Sequence, residues 1–401
     1  MGLRKIIDRM KPAFSKGGRW ERFASTFEAF ETFAYTPNRV TGGKPGAGYR
    51  GCQLRDAVDM KRTIITVVAA LMPALLFGMW NTGHQTSLYY GLDWNWWREW
   101  VFGLGRTVPV LAVTYGVGLF LEFLFAEIRH EEVTEGYICT GLLIALIVPA
   151  TVPLWQLALA VAFAVVIGKE VFGGSGYNFM NPALLARAFL FFAYPSRMSG
   201  DRVWVAAPTD WAADAVSGAT PLGELAAGVM PHSSVWELFV GTVPGCIGET
   251  SVVAILTGAA VLLLTGVASW RIMLGVVLGG GLTGLLFNLI AMANPQFSIF
   301  NSQFTVPFYY HWLMGGFAFG AVFMATDPVT AAQTQAGKWI YGVLTGVLAV
   351  MLRVANPAYP EGMMLAILLM NCLAPLIDHC VVALHVRRRL RRWAEAERRA
   401  R

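Results

Sequence analysis

Residues 141–153, GLLIALIVPATVP, and residues 316–330, GFAFGAVFMATDPVT, carry the same figure: a glycine-led apolar run that stops in a proline turn with threonine. Two further echoes follow in the same order. Gly168-Lys169 opens a stretch that reaches Asn181-Pro182-Ala183-Leu184, and Gly337-Lys338 opens one that reaches Asn356-Pro357-Ala358-Tyr359. The chain therefore reads as a doubled unit. Apolar runs interrupted by glycine or proline are the mark of broken helices, which membrane proteins tolerate where the irregular backbone is buried or lines a cavity, and which in transporters border a binding site.

A helix needs about 20 mostly apolar residues to cross the hydrocarbon. Outward from the two runs, such segments fall at 63–80, 107–127, 137–153, 154–172, 183–194, 251–268, 270–292, 307–326, 338–354 and 363–386. Two of them, 137–153 and 183–194, are short and interrupted. Five spans per half is an odd number, so the second half enters the membrane upside down and a shared site lies near the midplane. The expected fold is an all-α polytopic membrane protein with about ten transmembrane helices in two inverted five-helix repeats with broken helices. Its expected parts are a cytoplasmic amphipathic arm (1–62), a first transmembrane repeat (63–194), a periplasmic loop region (195–250), a second repeat (251–386) and a basic cytoplasmic tail (387–401).

Composition excludes the other classes. Of 401 residues, 56% are hydrophobic and 14% charged, with a mean hydropathy of +0.52, which is neither a soluble nor a disordered composition. The net charge of +6 is not a nucleic-acid signal, because of 31 basic residues 13 lie in 1–62 and 8 in 387–401. Cations held at both ends place both termini inside and the loop 195–250 outside. The start MGLRKIIDRMKPAF lacks the apolar core of a cleavable signal and reads as an arm lying on the anionic leaflet, with membrane lipid as its partner. Cys52, Cys139, Cys246, Cys372 and Cys380 are scattered; no metal site is signalled. No strand-led G-x-G-x-x-G unit exists to bind a dinucleotide.

In the outer loop, Asp214-Ala215-Val216-Ser217-Gly218-Ala219-Thr220 surrounds hydroxyls with small residues, so another molecule can approach the backbone closely. The same heptad also reads as a turn before a proline-led helix at Pro221-Leu222-Gly223-Glu224. On the inner side, Asn178 and Asn181 of the run 173–182 offer donors and acceptors for the ring edge or carbonyl of a bound molecule, or cap their own broken helices. Acids near the membrane are functional candidates by default. Asp327, Asp378, Glu135 and Glu249 are therefore candidates for an ion path, with a turn cap as the alternative for Asp327 and pairing with the basic tail as that for Asp378. Lys169, Arg187 and Lys338 read as snorkelling anchors or as partners of a bound phosphate.

The heptad Asp-x-x-Ser-Gly-Ala-Thr resembles the flavinylation motif of the family that contains the B subunit of the bacterial sodium-translocating NADH:quinone oxidoreductase and the D subunit of the Rnf complex. The segments GKEVFGGSGYNFMNPALLARAFLFFAYP (168–195), VPGCIGETS (243–251), GGFAFGAVFMATDPVTA (315–331) and RVANPAYPEGMMLAIL (353–368) are also similar to that family, in the expected order. The long arm, with TFAYTPNRVTGG at 32–43, resembles the quinone-reductase member. The resemblance implies an integral membrane component of a redox-driven sodium pump in the bacterial inner membrane, passing electrons from NADH to ubiquinone while Na+ crosses. It implies FMN in phosphoester linkage to Thr220, attached by a flavin transferase, with Asp214 and Ser217 serving recognition. It implies a second, noncovalent riboflavin, for which Asn178 and Asn181 are the candidate contacts. For the quinone the candidates are Gly136, Tyr137, Thr140 and Gly141, with Phe33 and Tyr35 of the arm; NADH oxidation falls to another subunit of the complex. The rival readings are the Rnf member of the family and a passive channel or transporter, which has no use for a tethered flavin.

Overall fold

The computed structural model describes residues 2–14, 18, 20, 23–27, 60–130, 133, 136–198, 204–208, 218–294, 304–356 and 361–400. Phe33, Tyr35, Glu135, Asp214 and Ser217 lie outside the described residues. After an amphipathic helix α1 (Gly2–Phe14) the bundle is built from α2 (Met60–Tyr89), α3 (Trp96–Arg129), α4 (Gly136–Ile147), α5 (Leu154–Gly168), α6 (Pro182–Ala193), two short helices α7 (Pro221–Ala226) and α8 (Val235–Val240), then α9 (Val252–Leu264), α10 (Trp270–Ala293), α11 (Gln335–Ala355) and α12 (Gly362–Ala400). No strand occurs among the described residues. Six helices are long and apolar enough to cross a membrane, and α4, α6 and α9 are shorter apolar helices. The protein is an all-α polytopic membrane protein.

These helices are patterned inside out. On α3 the buried positions are Glu99, Gly103, Thr107, Val110, Thr114, Gly118 and Glu122, a stripe of small and polar residues at three- and four-residue spacing, while Val101, Val108, Phe120, Leu124 and Ile128 are exposed. With lipid outside as apolar as any core, helices associate through close packing and interhelical hydrogen bonds, so the small and polar residues face inward. The same logic lengthens α2 beyond the apolar window at 63–80: Asn81 and Thr86 continue the helix and donate to the carbonyls of Val243 (3.0 Å) and Ala206 (2.9 Å).

The span expected at 307–326 is not one helix. It is a helical turn Tyr310–Leu313, a break, and Phe317–Phe319 running into a π-helical turn Gly320–Met324. Gly315 at φ +61° makes the break, a backbone conformation that costs glycine nothing. The guanidinium of Arg353 then donates to the carbonyls of His311 (2.9 Å) and Met314 (3.2 Å) freed there. At the matching place in the first half, α4 stops at Ile147; Gly248 N–H and Cys246 Sγ–H donate to the carbonyls of Leu146 (2.8 Å) and Ile147 (3.1 Å). Of the other echoes, Gly168 closes α5 whereas Gly337 opens α11, so that pair falls at opposite helix ends. Asn181 caps the start of α6, and Asn356 sits between α11 and α12.

Candidate functional sites: a cavity at Asp327 and a pocket at Thr220

A cavity of about 460 Å³ opens where the N-terminal ends of α2, α4 and α6 meet the C-terminal ends of α5 and α9 and the turn after Met324. Its walls include Gly136, Cys139, Thr140, Lys169, Asn178, Asn181, Thr326 and Asp327. The sequence-expected riboflavin contacts, two of the quinone candidates and the first ion-path acid thus share one space. Asn181 performs both roles allowed to it: its Oδ1 caps α6, accepting from Ala183 N (2.9 Å), and its Nδ2 donates to Asp327 Oδ2 (3.2 Å). Asp327 also accepts from Thr330 Oγ1 (3.1 Å) and Val329 N (3.1 Å). Burial pushes the Asp327 carboxyl above the ordinary carboxylate range, and these hydrogen bonds pull against it. Asn178 turns back on its own loop, donating to Met180 O (3.0 Å).

Two quinone candidates do not line this cavity. Tyr137 is fully buried between α3 and α4 with its hydroxyl on Thr114 O (2.9 Å), and Gly141 packs against Tyr115 and Tyr137. Both serve helix packing. Lys169 is not a snorkelling anchor: it is 4% exposed, paired with Glu122 of α3 and 5.8 Å from the centre of the Tyr137 ring. The second Glu122 oxygen is buried without a hydrogen-bond partner. Asp378 does not pair with the basic tail; it accepts from Gln333 N (2.7 Å), Thr334 N (3.0 Å) and Thr334 Oγ1 (2.5 Å), fastening the turn that starts α11 to α12.

Thr220 lies at the other end of the bundle. Its hydroxyl caps α7, accepting from Gly223 N (3.0 Å), which is the turn-and-helix alternative realised in the fold. The residue forms part of a small pocket with Trp204, Cys246, Glu249, Thr250, Gly315 and Glu361. The Thr250 hydroxyl is buried there without a partner. Glu249, expected on the ion path, is paired with the buried Arg187, which also pairs with Glu361. Burial pushes Glu249 upward while Arg187 opposes. Arg187, like Lys169, is thus an internal cation and not an anchor.

Spacing along the chain concealed Glu122, Glu361 and Arg353. One signal was present: Glu122 falls four residues after Gly118 and eight after Thr114 in an otherwise apolar span, the inward spacing of α3. Glu99 of the same stripe holds Trp80 Nε1 (2.9 Å) and His84 Nδ1 (3.0 Å).

Known proteins give these features a family. The sequence pattern of the NQR2, RnfD, RnfE family matches residues 50–387. The protein named as the B subunit of Na(+)-translocating NADH-quinone reductase in Stutzerimonas stutzeri (strain A1501) is 48% identical over 420 residues, covering 98% of this chain and all of that protein. Its namesake in Chromohalobacter salexigens is 48% identical over 415 residues, covering 98% of this chain and 97% of its own length. That of Pseudomonas aeruginosa (strain UCBPP-PA14) is 47% identical over 420 residues with 98% and 100% covered. With a match across most of its length and these near full-length relatives, the chain belongs to the NQR2, RnfD, RnfE family.

Proposed function

We propose that this chain is the large membrane component of a redox-driven sodium pump, carrying electrons that other subunits take from NADH through covalent FMN and riboflavin to ubiquinone, while Na+ crosses the membrane. The observation that carries the reading is the near full-length similarity to relatives named for that reaction, together with Thr220 placed at the rim of a pocket at one end of the bundle. The Rnf alternative is less supported, since the relatives that match over the whole chain are quinone-reductase subunits.

The residues present suit the groups. At Thr220, Trp204 and the buried, unpartnered Thr250 hydroxyl line a pocket of about 30 Å³, room for the attachment and not for the ring, and a flavin tethered there would supply the electron chemistry that no side chain can. At the other end, the 460 Å³ cavity offers apolar walls with Asn181, Lys169 and Ser175, a lining suited to riboflavin. Gly136 and Thr140 are the quinone candidates on that lining, and Asp327 the ion-path residue. The two halves would be inverted repeats with both termini cytoplasmic in the bacterial inner membrane. The partners are the other subunits of the oxidoreductase complex, a flavin transferase that reaches Thr220 from outside, and membrane lipid.

Thr220 is the test. Chain produced with its transferase should fluoresce as a flavoprotein on a denaturing gel, and peptide mapping should find one FMN, less a water, on the Thr220 peptide. Thr220→Ala should abolish the band and electron transfer to quinone, and should cost the fold about 1 kcal/mol for the lost cap on α7. Thr220→Ser retains a hydroxyl and part of the label. An unmodified peptide in transferase-competent cells would return the channel reading to first place.

A further inference from the structure

Three buried charges and the half-buried Glu361 at the Thr220 end take no part in the paths assigned above. Arg187 of α6 is 3% exposed and Arg353 of α11 is 1% exposed. Arg187 donates to Glu249, to Glu361 and to Cys246 Sγ at 3.4 Å. Arg353 donates to the freed carbonyls at His311 and Met314. Desolvating such groups costs more than their mutual attraction usually returns, and an apolar packing of the same volume is often the more stable choice. A set of charges retained inside a membrane protein therefore points to use.

Its position indicates the use. Glu249 and Glu361 share the pocket wall with Thr220, and Arg187 stands behind them without lining that pocket. From the other side, a Cβ built on Gly315 would lie 3.7 Å from Arg353 Nη2 and 2.9 Å from the side chain of Leu222, two residues from Thr220. The cluster is not saturated by its own contacts either, since Arg187 Nε and the Thr250 hydroxyl are buried without partners.

We propose that Glu249 and Glu361, held by Arg187, set the reduction potential of the redox group carried at Thr220. The inference rests on the covalent flavin of the preceding section. Reduction of an isoalloxazine by two electrons with one proton forms the N5–H bond and leaves a net negative charge on the ring; the electrons come from the NADH side of the complex and the proton from water. Glu249 and Glu361 line the pocket at the attachment point while Arg187 does not, so the face they present there is carboxylate and would oppose that charge. With Glu249 and Glu361 so placed, a flavin held at Thr220 would be the readier donor, and its electrons would run onward toward quinone.

The test uses the assembled complex, made with its transferase. The covalent flavin is counted first by gel fluorescence and peptide mapping, and its midpoint is then measured by spectroelectrochemical titration. Glu361→Gln is the milder variant, because that side chain is 18% exposed. It should raise the midpoint with the label intact, Glu249→Gln should shift it in the same sense, and Glu361→Asp, which keeps the charge, should stay near the wild type. The noncovalent flavin at the far end should not move, which a general loosening of the fold would not spare. A labelled Glu361→Gln protein with an unmoved midpoint overturns the inference alone, whereas an unlabelled wild-type chain overturns the attachment at Thr220 and this inference with it.

Discussion

Asp327 is the acid that lines the larger cavity, and its proposed place on the ion path makes a prediction at the scale of one carboxyl group. Its oxygens accept from Asn181, Thr330 and Val329, yet burial still pushes its proton affinity up. A proton and a sodium ion compete for the same lone pairs, and a protonated carboxyl is a poor ligand for a hard cation. As pH falls through the raised value the proton wins, so the Na+ concentration that half-saturates quinone reduction should climb. Sodium titrations at stepped pH check this, and a flat profile counts against Asp327. Asp327→Asn should lose both the pH effect and most of the sodium stimulation while its covalent flavin content stays whole. At this scale the sequence was readable wherever chemistry is local: Thr220 stands out by its neighbours, and Asn181 by the proline that follows it. Ion pairs were not, because the partners of Glu122 and Glu361 lie 47 and 174 positions away. No spacing rule spans such separations.

Among the elements, α10 and α11 make a close, extended seam. Gly279 and Gly346 sit backbone to backbone against it: a Cβ on Gly279 would run into the Val343 carbonyl, and one on Gly346 into that of Val276. Small residues allow this approach, and dispersion and weak hydrogen bonds across it hold the pair. Gly279→Ala should therefore destabilise the protein by about 1–3 kcal/mol, the usual cost of overpacking, seen as a lowered Tm in detergent. Gly105→Ala, with open space around it, is the neutral control. Helix lengths were less legible than helix existence. Hydropathy ended the first span at residue 80 because Asn81, Gln85 and Thr86 are polar, though they are the side chains the helix turns inward. It also joined 307–326 into one span, since Gly315 and Gly316 hardly change the average of an apolar window while they decide the backbone.

Across the whole molecule the two candidate sites occupy opposite ends. The cavity takes Thr63 and Ile64 from the start of α2, and Thr86, near its end, meets Ala206 on the side of Thr220. Reporter fusions should report this polarity: cytoplasmic at Arg401 and in the turn between Thr326 and Lys338, external near Thr220. A cytoplasmic signal at Thr220 would count against the proposed attachment of a flavin there from outside. One stretch of chain touches both sites, with Gly315 in the pocket at Thr220 and Asp327 in the larger cavity, twelve residues further on. Between them lies the π-helical turn Gly320–Met324, which holds one residue more than a regular turn would. In a metal such an extra half-plane is a dislocation, and its virtue is that it glides: the defect advances one step at a time while the lattice on either side keeps its registry. Here the extra residue lies between the two sites, so the register of that single turn sets where Asp327 stands relative to Gly315.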